Sequence, residues 1–340
     1  MVKMSKTTIF TILGTLVVAC VLPWVVPFNN YWMNILVSFC YFSILSSALN
    51  LLLGYSGQVS MGHNAFMCIG AYSYGIFAVR FKTLPGYQLI GVVLGIVVPL
   101  VFGLIIGVAC SRLTAIFLAM TTGAFARALR AFIIAEKWLT NGANGLSGVP
   151  KLNLFGMDTM KVQNYNRVLY YYALAATFVI ILFCWRLVNS RTGRALQAIK
   201  TSEIAAAAMG INVTAYKFLV CAISAAFAGC AGVIYAWNLG YLSADLFDRF
   251  GIILMTMATT GGMSTIAGPV IGAVIMGYLP EALRPFSKHL QGIYGLLIII
   301  MFLFMPTGFY GAFRQLRDYI IRQVKKGAKK PSVAGPGKGA

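Results

Sequence analysis

The chain has 340 residues, 59% of them hydrophobic and only 10% charged, with a formal net charge of +20 and a mean hydropathy of +0.82. Soluble domains carry roughly 25% charged residues, and apolar runs of about 20 residues recur here, each long enough to cross a bilayer, so a soluble fold is excluded. The placement of charge argues against nucleic acid: Arg314, Arg317, Arg322, Lys325, Lys326, Lys329, Lys330 and Lys338 crowd the end of the chain against Asp318, as expected of a cytoplasmic tail facing anionic membrane lipids.

In chain order, ten spans are predicted, at about 8–28, 32–53, 62–79, 88–110, 113–135, 168–188, 215–236, 250–267, 269–283 and 291–310. The first follows Lys3 and Lys6 and exceeds a signal-peptide core, so it reads as an uncleaved span. An even count with the N-terminus inside puts both termini in the cytoplasm. It also places the external loop at 137–167, with its turn-forming Asn141–Pro150, opposite the polar island 190–214. The expected architecture is an all-α integral membrane protein with a transmembrane domain over 1–310 and a basic, partly disordered tail over 311–340. Ten spans divide into two inverted five-helix halves, a recurring transporter plan, although no sequence repeat relates them.

The island Ser190–Val213 carries a short helix signature. Thr201 or Ser202 can cap it, Glu203 stands in the first turn facing the positive helix end, Ala205–Ala208 favour helix, and Gly210 stands where a terminating glycine belongs. Such a helix is about 10 Å long, too short to span the membrane and suited to docking a partner.

Catalytic and metal signatures are missing from the sequence. The seven cysteines form no CxxC pair and read as small buried apolar residues. The seven carboxylates, Glu136, Asp158, Glu203, Asp245, Asp248, Glu281 and Asp318, fall in loops, at span ends or in the tail, which weighs against a proton-coupled carrier. His63 and His289 have no carboxylate neighbour and read first as structural. No GxxxxGK[ST] loop occurs, so ATP hydrolysis, with its Mg, would have to reside on another subunit, and the chain is expected to bind no cofactor and to be no enzyme.

Two glycine-rich segments interrupt the apolar runs, Gly54–Gly70 and Thr259–Gly277. Small residues let helices approach closely, and a broken helix must turn its freed backbone toward protein or a water-filled cavity. Gly57, Gln58, Ser60, Gly62, His63, Gly261 and Gly262 are therefore candidates for a translocation path or gate. Arg127 and Arg130 are the charges well inside a span, one helical turn apart on one face, positioned to meet an anionic group or to extend to the external interface.

The order of five blocks adds a resemblance. Ala48–Tyr72, Phe117–Arg130, Leu139–Pro150, Arg191–Lys217 and Gly261–Ala273 are similar to those of the LivM-type permease subunits of branched-chain amino acid ABC importers, over roughly Leu45 to Gly311. The resemblance implies a bacterial inner-membrane importer in which a second homologous permease, two ATP-binding cassette subunits and a periplasmic solute-binding protein are partners. It places ATPase coupling at Arg194, Glu203, Ala205, Ala206 and Gly210, and adds Thr121 and Thr122 to the path. The chain departs from the family at Arg127, where an acidic residue is common, and in the spacing from Glu203 to Gly210. The competing expectation, from the residues alone, is an ion-coupled secondary transporter of small organic solutes.

Overall fold

The computed structural model describes residues 30–110, 115–152 and 165–282, with a few single positions outside them. The predicted spans 8–28 and 291–310, His289 and the basic tail lie outside that description, apart from isolated positions.

Helix α1 (Asn30–Asn50) runs into a π-helical turn, Leu51–Ser56, which ends at Gly57 in the left-handed conformation, φ 73°. Then come α2 (His63–Arg80), α3 (Tyr87–Cys110), α4 (Ala115–Ala135) and the single turn α5 (Lys137–Thr140). Helix α6 (Tyr165–Val188) leads to the island, which holds α7 (Arg191–Thr201) and α8 (Glu203–Ala208). The long α9 (Val213–Leu239) follows, then the short α10 (Ala244–Asp248), α11 (Phe250–Gly261) and α12 (Gly268–Ala282). Among the described residues, five helical segments are long and apolar enough to cross a membrane: Asn30–Ser56, Tyr87–Ala109, Ile116–Ala135, Tyr165–Val188 and Val213–Leu239.

The α9 helix is the centre of the bundle, with α3, α2 and α1 against it. Glycine makes this possible. A Cβ on Gly70 of α2 would lie 2.4 Å from Gly229 Cα, and one on Gly229 would lie 2.4 Å from the Gly95 carbonyl and 2.5 Å from Pro99 of α3. Pro99 has no N–H, so the Gly95 carbonyl one turn back lacks its helical donor. Gly229 lets α9 approach that bare carbonyl at van der Waals distance. His63 ties three helices together from inside: its ring nitrogens lie 3.0 Å from Ser60 Oγ and 2.6 Å from Ser224 Oγ. The Ser224 hydroxyl donates to the Ala48 carbonyl. It therefore accepts from Nε2–H, and Nδ1 pairs with the Ser60 hydroxyl. Both ring nitrogens are satisfied.

The two ends of the bundle are distinct. At one end the strands β1 (Leu146–Ser147) and β2 (Tyr241–Leu242) pair antiparallel, Leu146 opposite Leu242, and Arg80 donates to the Trp138 carbonyl at 2.6 Å. At the other end lie the π-helical turn, the island and the α11–α12 junction.

Two elements differ from the sequence reading. The island is two helices, because Ser202 takes extended backbone (φ −160°) and its hydroxyl accepts from the Ala205 N–H, capping a new helix. The predicted span 250–267 is instead a helix of 12 residues, Phe250–Gly261, about 18 Å long against a hydrocarbon core of about 30 Å, whereas α12 follows the predicted 269–283 within one residue. They form a hairpin whose arms touch backbone to backbone: Cβ atoms on Gly261, Gly268 and Gly272 would fall 1.9 to 2.2 Å from facing carbonyl oxygens.

Candidate functional site

Three features converge on the island end of the bundle. The first is a junction of broken helices. Asn50 Oδ1 accepts from the Ser264 N–H at 3.0 Å and Asn50 Nδ2 donates to the Thr265 carbonyl at 2.8 Å. Gly54 leaves the room that the Asn50 side chain occupies, since a Cβ there would overlap Asn50 Oδ1. Ser264, held at φ 61°, donates from Oγ to the Gly54 carbonyl at 2.7 Å. From α7, Lys200 Nζ donates to the same carbonyl at 2.6 Å and to Ser264 Oγ at 2.8 Å. Its stem lies over Gly57, where a Cβ would come within 3.2 Å of Lys200 Cγ. One lysine thus joins the island to both helix breaks.

The second feature is the island itself. Ser190 caps α7 by accepting from the Thr192 and Gly193 amides. Helix α8 ends at Gly210, φ 80°, whose N–H donates to the Ala207 carbonyl at 3.0 Å. Glu203 pairs with Lys217 of α9 at 2.6 Å; the glutamate side chain is 54% exposed and the lysine 6%. A buried ammonium without a counter-charge is costly, so this pair anchors α8 to the central helix. Ile204 and Met209 project outward at 85% and 82% exposure, the most exposed large apolar residues among those described.

The third feature is a cavity of about 630 Å³ between α4, α10, α11 and the loop after the π-helical turn. Gly251, Met255 and Thr259 line it from one face of α11, and Gly123, Ala126 and Arg127 from one face of α4. Leu53, Val59, Met61 and Met263 close its island end, and Asn64, Arg127 and Asp248 lie toward the far end. Arg130 is held apart from it, donating from Nε and Nη2 to Asp245 Oδ1 at 3.0 and 2.6 Å, which fixes α10 against α4.

The family comparison decides the class. Residues 31–306 match the family described as the permease component of branched-chain amino acid transport systems. The chain belongs to that family. It is 29% identical over 322 residues to the high-affinity branched-chain amino acid transport system permease protein LivM of Salmonella typhimurium, covering 87% of this chain and 73% of that protein. It is equally 29% identical to LivM of Escherichia coli K12, covering 78% and 66%. The E. coli LivH permease is 35% identical over 127 residues, 36% of this chain and 40% of LivH. No solved structure matches. The chain is therefore a multi-pass membrane permease subunit of a transport system, similar to both LivM and LivH.

The sequence-derived positions of this permease distribute as follows. Glu203, Ala205 and Gly210 are exposed on or just after α8, Ala206 is buried beneath it, and Arg194 is exposed on α7. Gln58, Ser60, Gly62 and His63 are buried in the loop and the start of α2, and Gly57 lies under Lys200. Thr122 Oγ1 accepts from the Met61 amide at 3.0 Å, which seats the loop on α4, while Thr121 is exposed and donates to Phe117 O. Gly261 and Gly262 form the buried hairpin turn. None of these nine path candidates lies on the wall of the large cavity. Its wall is made by their neighbours, Val59, Met61, Asn64 and Gly123, and by the α11 face. Gln58, Ser60 and Thr122 instead meet Lys217 at a small void beside the Glu203 pair. The alternation along 58–61 and the four-residue spacing 251, 255, 259 were the signals available in the sequence. Lys200, Ile204 and Met209 carried no motif.

Proposed function

We propose that this permease forms half of the membrane pathway of an ATP-driven importer in a bacterial inner membrane, both termini cytoplasmic. It would work with a second homologous permease, two ATP-binding cassette subunits that bind ATP and Mg, and a periplasmic solute-binding protein. The carried solutes would be branched-chain amino acids or close relatives. The observation that carries this reading is α8: a short, capped, buried-pair-anchored helix that exposes Ile204 and Met209 beside the lysine linking the island to both helix breaks. Exposed apolar side chains on a rigid mount suit a partner groove, and Lys200 offers a route for force from that groove to the junction. In alternating access, ATP-driven approach of the ATPases would move α7 and α8 as a unit. The Asn50–Ser264–Gly54 junction would shift with them and open or close the cavity's island end.

The test is purification of the tagged chain from native membranes in mild detergent, followed by mass spectrometry, together with uptake of L-[³H]leucine by cells that depend on this system. Co-purification of a second permease and of ATPases, with ATP-dependent uptake, supports the proposal. Recovery of the chain alone, with solute flux in ATP-free liposomes, would replace it with a secondary transporter.

A further inference from the structure

The cavity wall has a charge pattern that a permease for apolar or neutral solutes does not require. Among its lining residues the ionisable ones are Arg127 and Asp248. Neither forms an ion pair or hydrogen bond among the described residues, although the Asp248 charge also acts on the Arg130 guanidinium of the neighbouring Arg130–Asp245 pair. Asn64 lies on the same wall, 6% exposed, and its Nδ2 donates to the Phe247 carbonyl at 3.4 Å. That bond orients the amide and leaves Asn64 Oδ1 as a buried acceptor without a partner. Buried acceptors are rarely left unmatched without a reason. Asn64 and Asp248 also line, together with Arg130, a smaller void behind the wall.

We infer that the cavity is a binding station for a zwitterionic α-amino acid with an apolar side chain, its carboxylate on Arg127 and its ammonium on Asp248, with the buried Asn64 amide behind that pole. This rests on the reading of the chain as an amino-acid importer subunit and specifies where within it the solute is held. The poles are chemically distinct: Arg127 offers only donors, and the Asp248 carboxylate offers only acceptors. The rest of the wall is mainly apolar, with Leu53, Met61 and Met255, and methionine adapts to side chains of differing shape. A volume of about 630 Å³ falls in the range of about 300–1,000 Å³ usual for small-molecule sites. A neutral amide would leave both charges unmatched. A simple carboxylate would satisfy Arg127 and be repelled by Asp248, and an amine would meet the reverse. The station therefore selects for the pair of charges, independently of the soluble binding protein.

The experiment measures L-[³H]leucine binding to the assembled permease complex in nanodiscs without the binding protein. Leucinamide, which lacks the carboxylate, and 4-methylpentanoate, which lacks the ammonium, serve as competitors. In the unsubstituted complex leucine should outcompete both by about tenfold or more, the effect of one charge-assisted contact. In Arg127→Gln the advantage of leucine over leucinamide should collapse while its advantage over 4-methylpentanoate remains. In Asp248→Asn the pattern should cross over. These are ratios within each variant, so they do not depend on how much protein folds. An equal loss for all three compounds, unchanged ratios, or no leucine binding by the unsubstituted complex would overturn the inference. Leucine uptake by cells carrying the unsubstituted chain is read in parallel. Uptake with uncrossed ratios removes only the station, whereas absence of uptake removes the importer reading as well.

Discussion

Replacing Lys200 by methionine tests the link between the island and the helix breaks. The substitution keeps an unbranched stem over Gly57 and removes the ammonium that donates to Gly54 O and Ser264 Oγ at 2.6 and 2.8 Å. Hydrogen bonds to charged groups contribute about 1.5–3 kcal/mol each when shielded. Lys200 is exposed, so water competes for the ammonium and the gain shrinks. The Gly54 carbonyl also keeps its bond from the Ser264 hydroxyl at 2.7 Å, so no acceptor is orphaned. A net loss of about 1–2 kcal/mol follows, a factor of about 5–30 in the population of the linked state. The assay is leucine transport per ATP hydrolysed by the whole complex in proteoliposomes containing the binding protein. Lys200→Met should lower transport by up to that factor with ATP hydrolysis largely retained, and Lys200→Arg should lie between it and the unsubstituted protein. Unchanged transport and stoichiometry in Lys200→Met would refute the reasoning, because the island would then move the junction without this contact.

Other substitutions probe separate parts of the argument. Ile204→Asp combined with Met209→Asp should release the ATPase subunits in pull-down while membrane insertion and helix content stay constant; retained ATPases would place docking elsewhere. Glu203→Arg sets two like charges together at the buried Lys217 and should abolish uptake without preventing insertion, as should Gly210→Pro, which forbids φ 80° and removes the N–H to Ala207. Gly210→Ala meets no atom within 4 Å, so only the left-handed conformation, about 1–2 kcal/mol, is at stake; a much larger loss of uptake would show that a partner contacts this position. Gly229→Val, wedged against Gly95 O and Pro99, should cost about 3 kcal/mol or more and broaden the gel-filtration profile of the detergent-solubilised complex, and a sharp, unshifted peak would contradict the close packing of α3 and α9.

The long elements were legible because bilayer thickness fixes their length and apolar composition marks them. The starts and ends of α2, α3, α4, α6 and α9 fall within a few residues of the predicted spans. The caps of the island were legible too, since Ser202 and Gly210 act through local backbone chemistry. The α11–α12 hairpin was less so. Its apolar residues read as two spans, and only the backbone contacts at Gly261, Gly268 and Gly272 show that they pack against each other as a hairpin.

Composition and spacing alone determined that this chain lives in a membrane, where its helices run, and that a capped helix ends at Gly210, because each of these depends on residues near in sequence. Only the tertiary structure decided which side of each glycine-rich segment faces the cavity, that Lys200 reaches Gly54 and Ser264, that Glu203 neutralises Lys217, and that Arg127 and Asp248 share one wall while Arg130 is already paired. Those facts join residues from about 14 to over 200 positions apart in the chain. A polar side chain's role inside a bundle is set by the partner it finds there, and no local pattern encodes that partner.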